Sequence, residues 1–163
     1  MKMVCNASPL ILLAQTGHIS LLSQIFETIL IPEAVWNEIS FHGLDNPVTA
    51  IITHAHEKGV FSTFHVKNRL AVNAMIGRLH LGEIETIIGS LETNSDGVIL
   101  DDLLARKKAK QMGISVIGTI GIFIMAHKQG IFPDLLAVCD LLRIANFRIN
   151  DELLKEIEKN VIK

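Results

Sequence analysis

Apolar positions along this chain fall into two kinds of run: short continuous blocks, and longer stretches with a three-to-four-residue period. The blocks "KMVCN" (2–6), "ETILI" (27–31), "DGVILD" (96–101) and "ISVI" (114–117) have apolar centres with no polar face, and predict strands buried on both sides. The periodic stretches predict helices between them. Ser8 reads as an N-cap with Pro9 at the first helical position of a helix through Gln15. "HISLLSQI" gives a second, short helix. Pro32 starts a third, "PEAVWNEIS", with Val35, Trp36 and Ile39 as its apolar stripe. Asn46 and Pro47 open another, which Gly59 ends.

Further along, "LGEIETIIGSLETN" (81–94) places Ile84, Ile87, Ile88 and Leu91 on one helical face, and "DLLARKKAKQM" is a helix closed by Gly113. "VFSTFHV" (60–66) reads as an edge strand, and "KNRLAVNAMIGR" (67–78) fits either a helix or an irregular excursion. Two or three helices fill the remainder, ending in the amphipathic "NDELLKEIEKNVI". Strands alternating with helices predict an α/β fold: a three-layer αβα sandwich around a parallel sheet.

A length of 163 residues, 49% of them hydrophobic, supports one well-buried core. The expectation is a single domain over 1–163, with 133–163 a C-terminal helical extension. The longest apolar run, "GISVIGTIGIFIMA", falls short of the roughly 20 residues a membrane span needs. The N-terminus lacks the features of a secretory signal, so the expected location is the cytoplasm. Cys5 and Cys139, far apart and in apolar contexts, read as free thiols. A net charge of −2 makes no global case for nucleic acid, so any such case rests on local clustering.

Chemistry enters with Asn6, a polar amide at a strand tip, where α/β folds place their ligands. Glu38 and Glu83 each lie at the margin of a buried helix face, and Asp101 and Asp102 end a strand. Unpaired carboxylates about 5 Å apart repel by a few kcal/mol per pair even at an effective dielectric near 20. A divalent cation reverses that sign, and hard oxygen ligands select Mg²⁺ or Mn²⁺. Phosphodiester hydrolysis is the chemistry such a site supports best. Each residue also has a plainer reading. Glu38 and Glu83 could be solvated helix acids, Asp102 the N-cap of the following helix, and Asn6 the closure of a turn.

On the helix after the acidic strand end, Arg106 and Lys110 share an outward face with Lys107 beside them, either tracking phosphate or simply solvated. Gly118 and Thr119 could present a hydroxyl and N–H groups at the same edge, or Thr119 could cap a helix. His54 and His56 in "HAH" lie about 200° apart on a helix and cannot share an ion. With 5% aromatic residues and no Tyr, an extended base-stacking platform is not expected. The late apolar residues Phe123, Leu135, Leu136, Leu141 and Leu142 read first as core, with a surplus face as the alternative.

Taken in order, "VCNASPLILLAQTGHISLL", "ILIPEAVWNEI", "LHLGEIETI" and "VILDDLLARKKAKQMGISVIGTIGIFIMAHKQG" resemble the PIN-domain proteins, in particular a prokaryotic subgroup of unknown function described as predicted nucleic-acid-binding proteins. The resemblance covers roughly residues 3–132. It implies an αβα sandwich whose acids bind Mg²⁺ or Mn²⁺ and cleave RNA. It also implies the toxin half of a toxin–antitoxin pair, with a small antitoxin protein as partner and a homodimer as assembly. The family's first acid, usually Asp, falls on Asn6, and Ser8 on the polar residue after it. The second falls on Glu38, the third on Glu83, and the fourth on Asp101 or Asp102. On that correspondence Asn6, Glu38, Glu83 and Asp101 are the catalytic set, and the same four with Asp102 are the metal ligands. Ser8, Arg106, Lys107 and Lys110 would contact substrate. Asn6 is the departure: an amide oxygen ligates without bringing charge. The expected activity is therefore a metal-dependent ribonuclease, the alternatives being a nucleic-acid-binding module of weak or no activity, or a small-molecule phosphohydrolase.

Overall fold

The computed structural model describes residues 1–132, 134–135, 137–145, 147, 155, 157 and 159–160. Its strands are β1 (Lys2–Cys5), β2 (Thr28–Pro32), β3 (Ser62–Phe64), β4 (Gly97–Ile99) and β5 (Val116–Ile117). They form one parallel sheet in the order β3-β2-β1-β4-β5, with Met3 opposite Ile29 on one side and Gly97 on the other. The described helices are α1 (Ala7–Gln15), α2 (Leu21–Ile25), α3 (Glu33–Ser40), α4 (Pro47–Glu57), α5 (Arg69–Met75), α6 (Leu81–Thr93), α7 (Leu103–Gln111), α8 (Thr119–Lys128) and α9 (Ala137–Ile144).

Strand side chains alternate between the two faces. Met3, Cys5, Ile29, Ile31 and Ile99 pack against α1 and α8 in one core. Val4, Val98 and Leu100 pack with Ile87, Ala105 and Ala109 of α6 and α7 in the other. Both faces are therefore apolar, which is why these strands read as unbroken hydrophobic runs. Both cysteines are free, Cys5 buried and Cys139 partly so.

Most expected elements are present, and the ambiguous 67–78 stretch contains a helix, α5. Three details differ. Helix α1 starts at Ala7, not after Ser8: Asn6 is the extended residue before it, and Ser8 lies exposed in the first turn. Pro9 is tolerated there because the first turn has no intrahelical partner for its N–H. Leu91 is 46% exposed, on the rim of a shallow cavity beside Gly113 and Ser115, and does not extend the buried face of Ile84, Ile87 and Ile88. Thr119 begins α8 as its first helical residue, with Gly118 before it. Of the late apolar residues, Phe123, Leu135 and Leu142 are buried. Leu136 and most of the expected 150–162 helix lie outside the described residues.

Candidate active site

Chain order reverses between β1 and β4: β2 and β3 lie to one side of β1, while β4 and β5 lie to the other. The crevice beyond the carboxyl ends at such a switch point is where open α/β sheets bind ligands. Asn6 leaves β1 there with extended backbone (φ −85°, ψ 170°), its N–H donating to Ile99 O at 3.1 Å. An asparagine at this position ordinarily accepts an N–H from the helix's first turn. Asn6 does not; its side chain is 5% exposed, and Oδ1 is buried with no donor.

The amide turns toward Gly82 in the first turn of α6. A Cβ on Gly82 would stand 3.3 Å from Asn6 Oδ1, 3.2 Å from Glu38 Oε2 and 3.2 Å from Val35 Cγ2. Only a glycine leaves this space open to two oxygen acceptors from different elements. Asn6, Ser8, Asn37, Glu38, His80 and Glu83 are among the residues lining the cavity of about 510 Å³ that opens here.

Glu83 completes this side. Its Oε2 accepts the His80 N–H at 3.0 Å, half of a capping box on α6. Burial pushes its carboxyl above the usual carboxylate range; the His80 N–H opposes that, while the charges of Asp102 and Glu38 add to it. The Asp102 charge thus reaches Glu83, although Asp102 is also the N-cap of α7, accepting Ala105 N–H at 2.8 Å.

Asp101 is committed elsewhere. Its two oxygens accept from Thr119 N–H (2.8 Å) and Thr119 Oγ1 (2.6 Å), and neither it nor Asp102 is among the cavity-lining residues. Burial raises its carboxyl, opposed by the Thr119 bonds and by Arg106. Thr119 therefore spends its hydroxyl and N–H on Asp101. Arg106 departs from the outward face expected of it: Nη1 donates to Leu100 O at 3.1 Å, and the guanidinium fills the space a Cβ on Gly118 would need. Lys107 and Lys110 are exposed as expected. His54 and His56 do face apart, His54 beside Glu57 and His56 stacked on Phe61.

Glu85 escaped the sequence reading. It is 4% exposed, with Oε2 accepting Ala34 N–H of α3 at 3.2 Å and Oε1 bound to Arg69 Nη1 of α5 at 2.5 Å. A charge inside the apolar spacing of "GEIETII" is the signal that could have flagged it. His80 was also missed; its position before "LGE" put it in the helix-start region that forms the cavity wall.

Among the described residues, no three His, Cys, Asp or Glu side chains are grouped to hold a metal ion by themselves. The donor set nevertheless fits a hard cation that keeps several waters, since Mg²⁺ is commonly held by one or two carboxylates plus substrate phosphate. An orphaned amide oxygen facing a carboxylate across an open glycine is such a set. Among the described residues, no helix is long and apolar enough to cross a membrane. A family model described as a PIN domain (DUF3368) matches residues 2–163. No curated protein and no solved structure matches the chain.

Proposed function

This chain belongs to the PIN-domain family, a nuclease fold, and from that premise we propose that it is a metal-dependent ribonuclease hydrolysing RNA phosphodiester bonds in the cavity around Gly82. The observation that carries the proposal is the buried Asn6 Oδ1, which has no donor and shares the Gly82 space with Glu38 Oε2. A buried amide oxygen with no donor is a cost, and a cation or its water held between it and the exposed Glu38 carboxylate would remove it.

In this reading Asn6 and Glu38 hold a Mg²⁺ or Mn²⁺ ion, with Glu83 and Asp102 supplying negative charge beside it. Such an ion supplies Lewis-acid activation of water and neutralises charge at the phosphate. Glu83, fixed by its bond to His80 N–H, is held in one rotamer at the cavity wall and orients the attacking water. Asp101, anchored by Thr119, fixes the end of β4 from which Asp102 projects. Ser8, exposed in the same cavity, offers a hydroxyl to the phosphate, and Lys107 and Lys110 give the strand a cationic approach. Arg106, tied inward, acts on the strand end and not on substrate.

The neutral amide at position 6 favours one second reading, a module that binds RNA and hydrolyses it slowly or not at all. Calorimetry with Mn²⁺ together with a cleavage assay on a mixed RNA pool separates the two. Binding with metal-dependent cleavage supports the ribonuclease; RNA binding without cleavage supports the module. The narrower proposal, a cytoplasmic single-domain toxin acting as a homodimer and neutralised by a small antitoxin, is tested by sedimentation and by co-expression with the product of an adjacent reading frame.

A further inference from the structure

Three residues of α3, Ala34, Asn37 and Glu38, line the cavity. They occupy positions i, i+3 and i+4, one stripe of the helix. The next member of that stripe, i+7, is Phe41. Its backbone is still helical (φ −55°, ψ −32°), and its N–H donates to Asn37 O at 3.0 Å, so the stripe continues through it. Phe41 therefore stands one turn beyond Glu38, about 4.5 Å along the axis.

Phe41 is 87% exposed, more than any other large apolar side chain described. A single exposed apolar residue is ordinary; a ring in this position is not accounted for by that alone. Phe26, Phe61 and Phe123 are buried, and Phe64, Phe132, Phe147 and Trp36 are partly so, leaving Phe41 as the exposed Phe or Trp ring among the described residues. Its one ring contact is edge-on with the neighbouring His42, at 5.8 Å, so a face stays free. The segment that presents it is built. Gly43, at φ +69°, donates to Ser40 O, Asn46 donates to Gly43 O, and Thr49 Oγ1 donates to Ile39 O at 3.1 Å.

We infer that Phe41 is a substrate-stacking residue, receiving an unpaired base that neighbours the scissile phosphate, and so directs the protein to single-stranded RNA. This rests on the ribonuclease reading of the adjacent cavity. A free aromatic face accepts any base once it has left its stack, whereas bases within a duplex present only their edges. The low aromatic content rules out a platform of several rings but not one ring beside the cavity.

The test compares the parent with Phe41→Ala and Phe41→Trp. Binding of a labelled 12-nucleotide single-stranded RNA, and of the same strand annealed to its complement, is followed by anisotropy in EDTA. Phe41→Ala is expected to weaken single-strand binding roughly 5- to 100-fold, with duplex binding changed less than about twofold and Phe41→Trp close to the parent. Equal losses on both RNAs, no loss on either, or a parent that binds no single strand overturn the inference. So does a parent that sediments as a dimer while Phe41→Ala is monomeric, because a second copy then covers the ring. Mn²⁺-dependent cleavage of a mixed RNA pool by the parent is measured alongside. If the parent does not cleave RNA, the ribonuclease reading fails, and the binding comparison still decides the role of Phe41.

Discussion

Replacing Asn6 by Asp changes one atom and adds one charge at the most constrained point of the site. The new carboxylate would face Glu38 Oε2 across the Gly82 space, with the two oxygens at most about 6.5 Å apart. At an effective dielectric near 20 their repulsion is roughly 2.5 kcal/mol. Glu38 is exposed, so solvent screening leaves about 1 kcal/mol of that, and Glu83 contributes a further fraction. A cost of about 1–2 kcal/mol lowers the melting temperature of the metal-free protein by roughly 2–8 °C at neutral pH. A divalent cation reverses the sign of the same interaction. Each 1.4 kcal/mol gained in binding is about tenfold in affinity, so Asn6→Asp is expected to bind Mn²⁺ at least about tenfold more tightly. Titrating Mn²⁺ while following thermal unfolding reads both effects, since ligand at about 100 times its dissociation constant adds about 2.7 kcal/mol to the native state. The parent and variant curves should cross as metal is added. Curves that coincide without metal and rise in parallel would show that Asn6 is a turn residue and that no ion is held between it and Glu38.

Gly82→Ala puts a methyl group into the oxygen-lined space and should reduce Mn²⁺ binding and cleavage at least tenfold, with stability within about 1 kcal/mol of the parent because better helix propensity offsets the tight fit; calorimetry and melting check it. Glu83→Gln should abolish Mn²⁺-dependent cleavage yet stabilise the metal-free fold at neutral pH. The native carboxyl binds its proton more tightly than the unfolded one, so the parent loses stability as pH rises from the ordinary carboxylate range through the raised value, about 1.4 kcal/mol for each tenfold difference in proton affinity. A melting profile across pH 4–8 that is no flatter in Glu83→Gln would refute this. Gly118→Ala would overlap the Arg106 guanidinium and should cost about 1–3 kcal/mol. A double-mutant cycle with Arg106→Ala should recover most of it, and strict additivity would show that the two do not meet.

Much of this architecture is legible in the sequence because its causes are local. Gly113 and Asn46 punctuate their helices as their chemistry dictates, and strands buried on both faces betray themselves as unbroken apolar runs. Asn6, Glu38 and Glu83 were placed by their positions at strand ends and helix margins. The departures have one physical character: they depend on what lies across space. Ser8 looks like a cap until the strand before it fixes Asn6 in extended backbone. Leu91 has the period of a buried face but stands exposed beside Gly113 and Ser115. Arg106 fits the solvated face of α7 by period, yet the carbonyl of Leu100 and the missing side chain of Gly118 draw it inward. Glu85 went unread because its burial depends on α3 and α5 converging on it. Between Asp101 and Asp102, spacing offered no choice; each side chain accepts from a different backbone N–H, Asp101 from Thr119 and Asp102 from Ala105.

The position of β1 between β2 and β4 also sets a timetable for making the protein. Its first partner follows within thirty residues, but Gly97, opposite Met3 on the other side, emerges more than ninety residues after Met3. At about 5–20 residues per second, the ribosome takes roughly 5–20 s to deliver it. Through that interval one edge of β1 is open and the Asn6 N–H awaits the carbonyl of Ile99, although the residues that line the cavity are all made before it ends. A nascent chain released before β4 would carry every residue that lines the pocket but a bare strand edge beside it, inviting self-association rather than encounters with RNA.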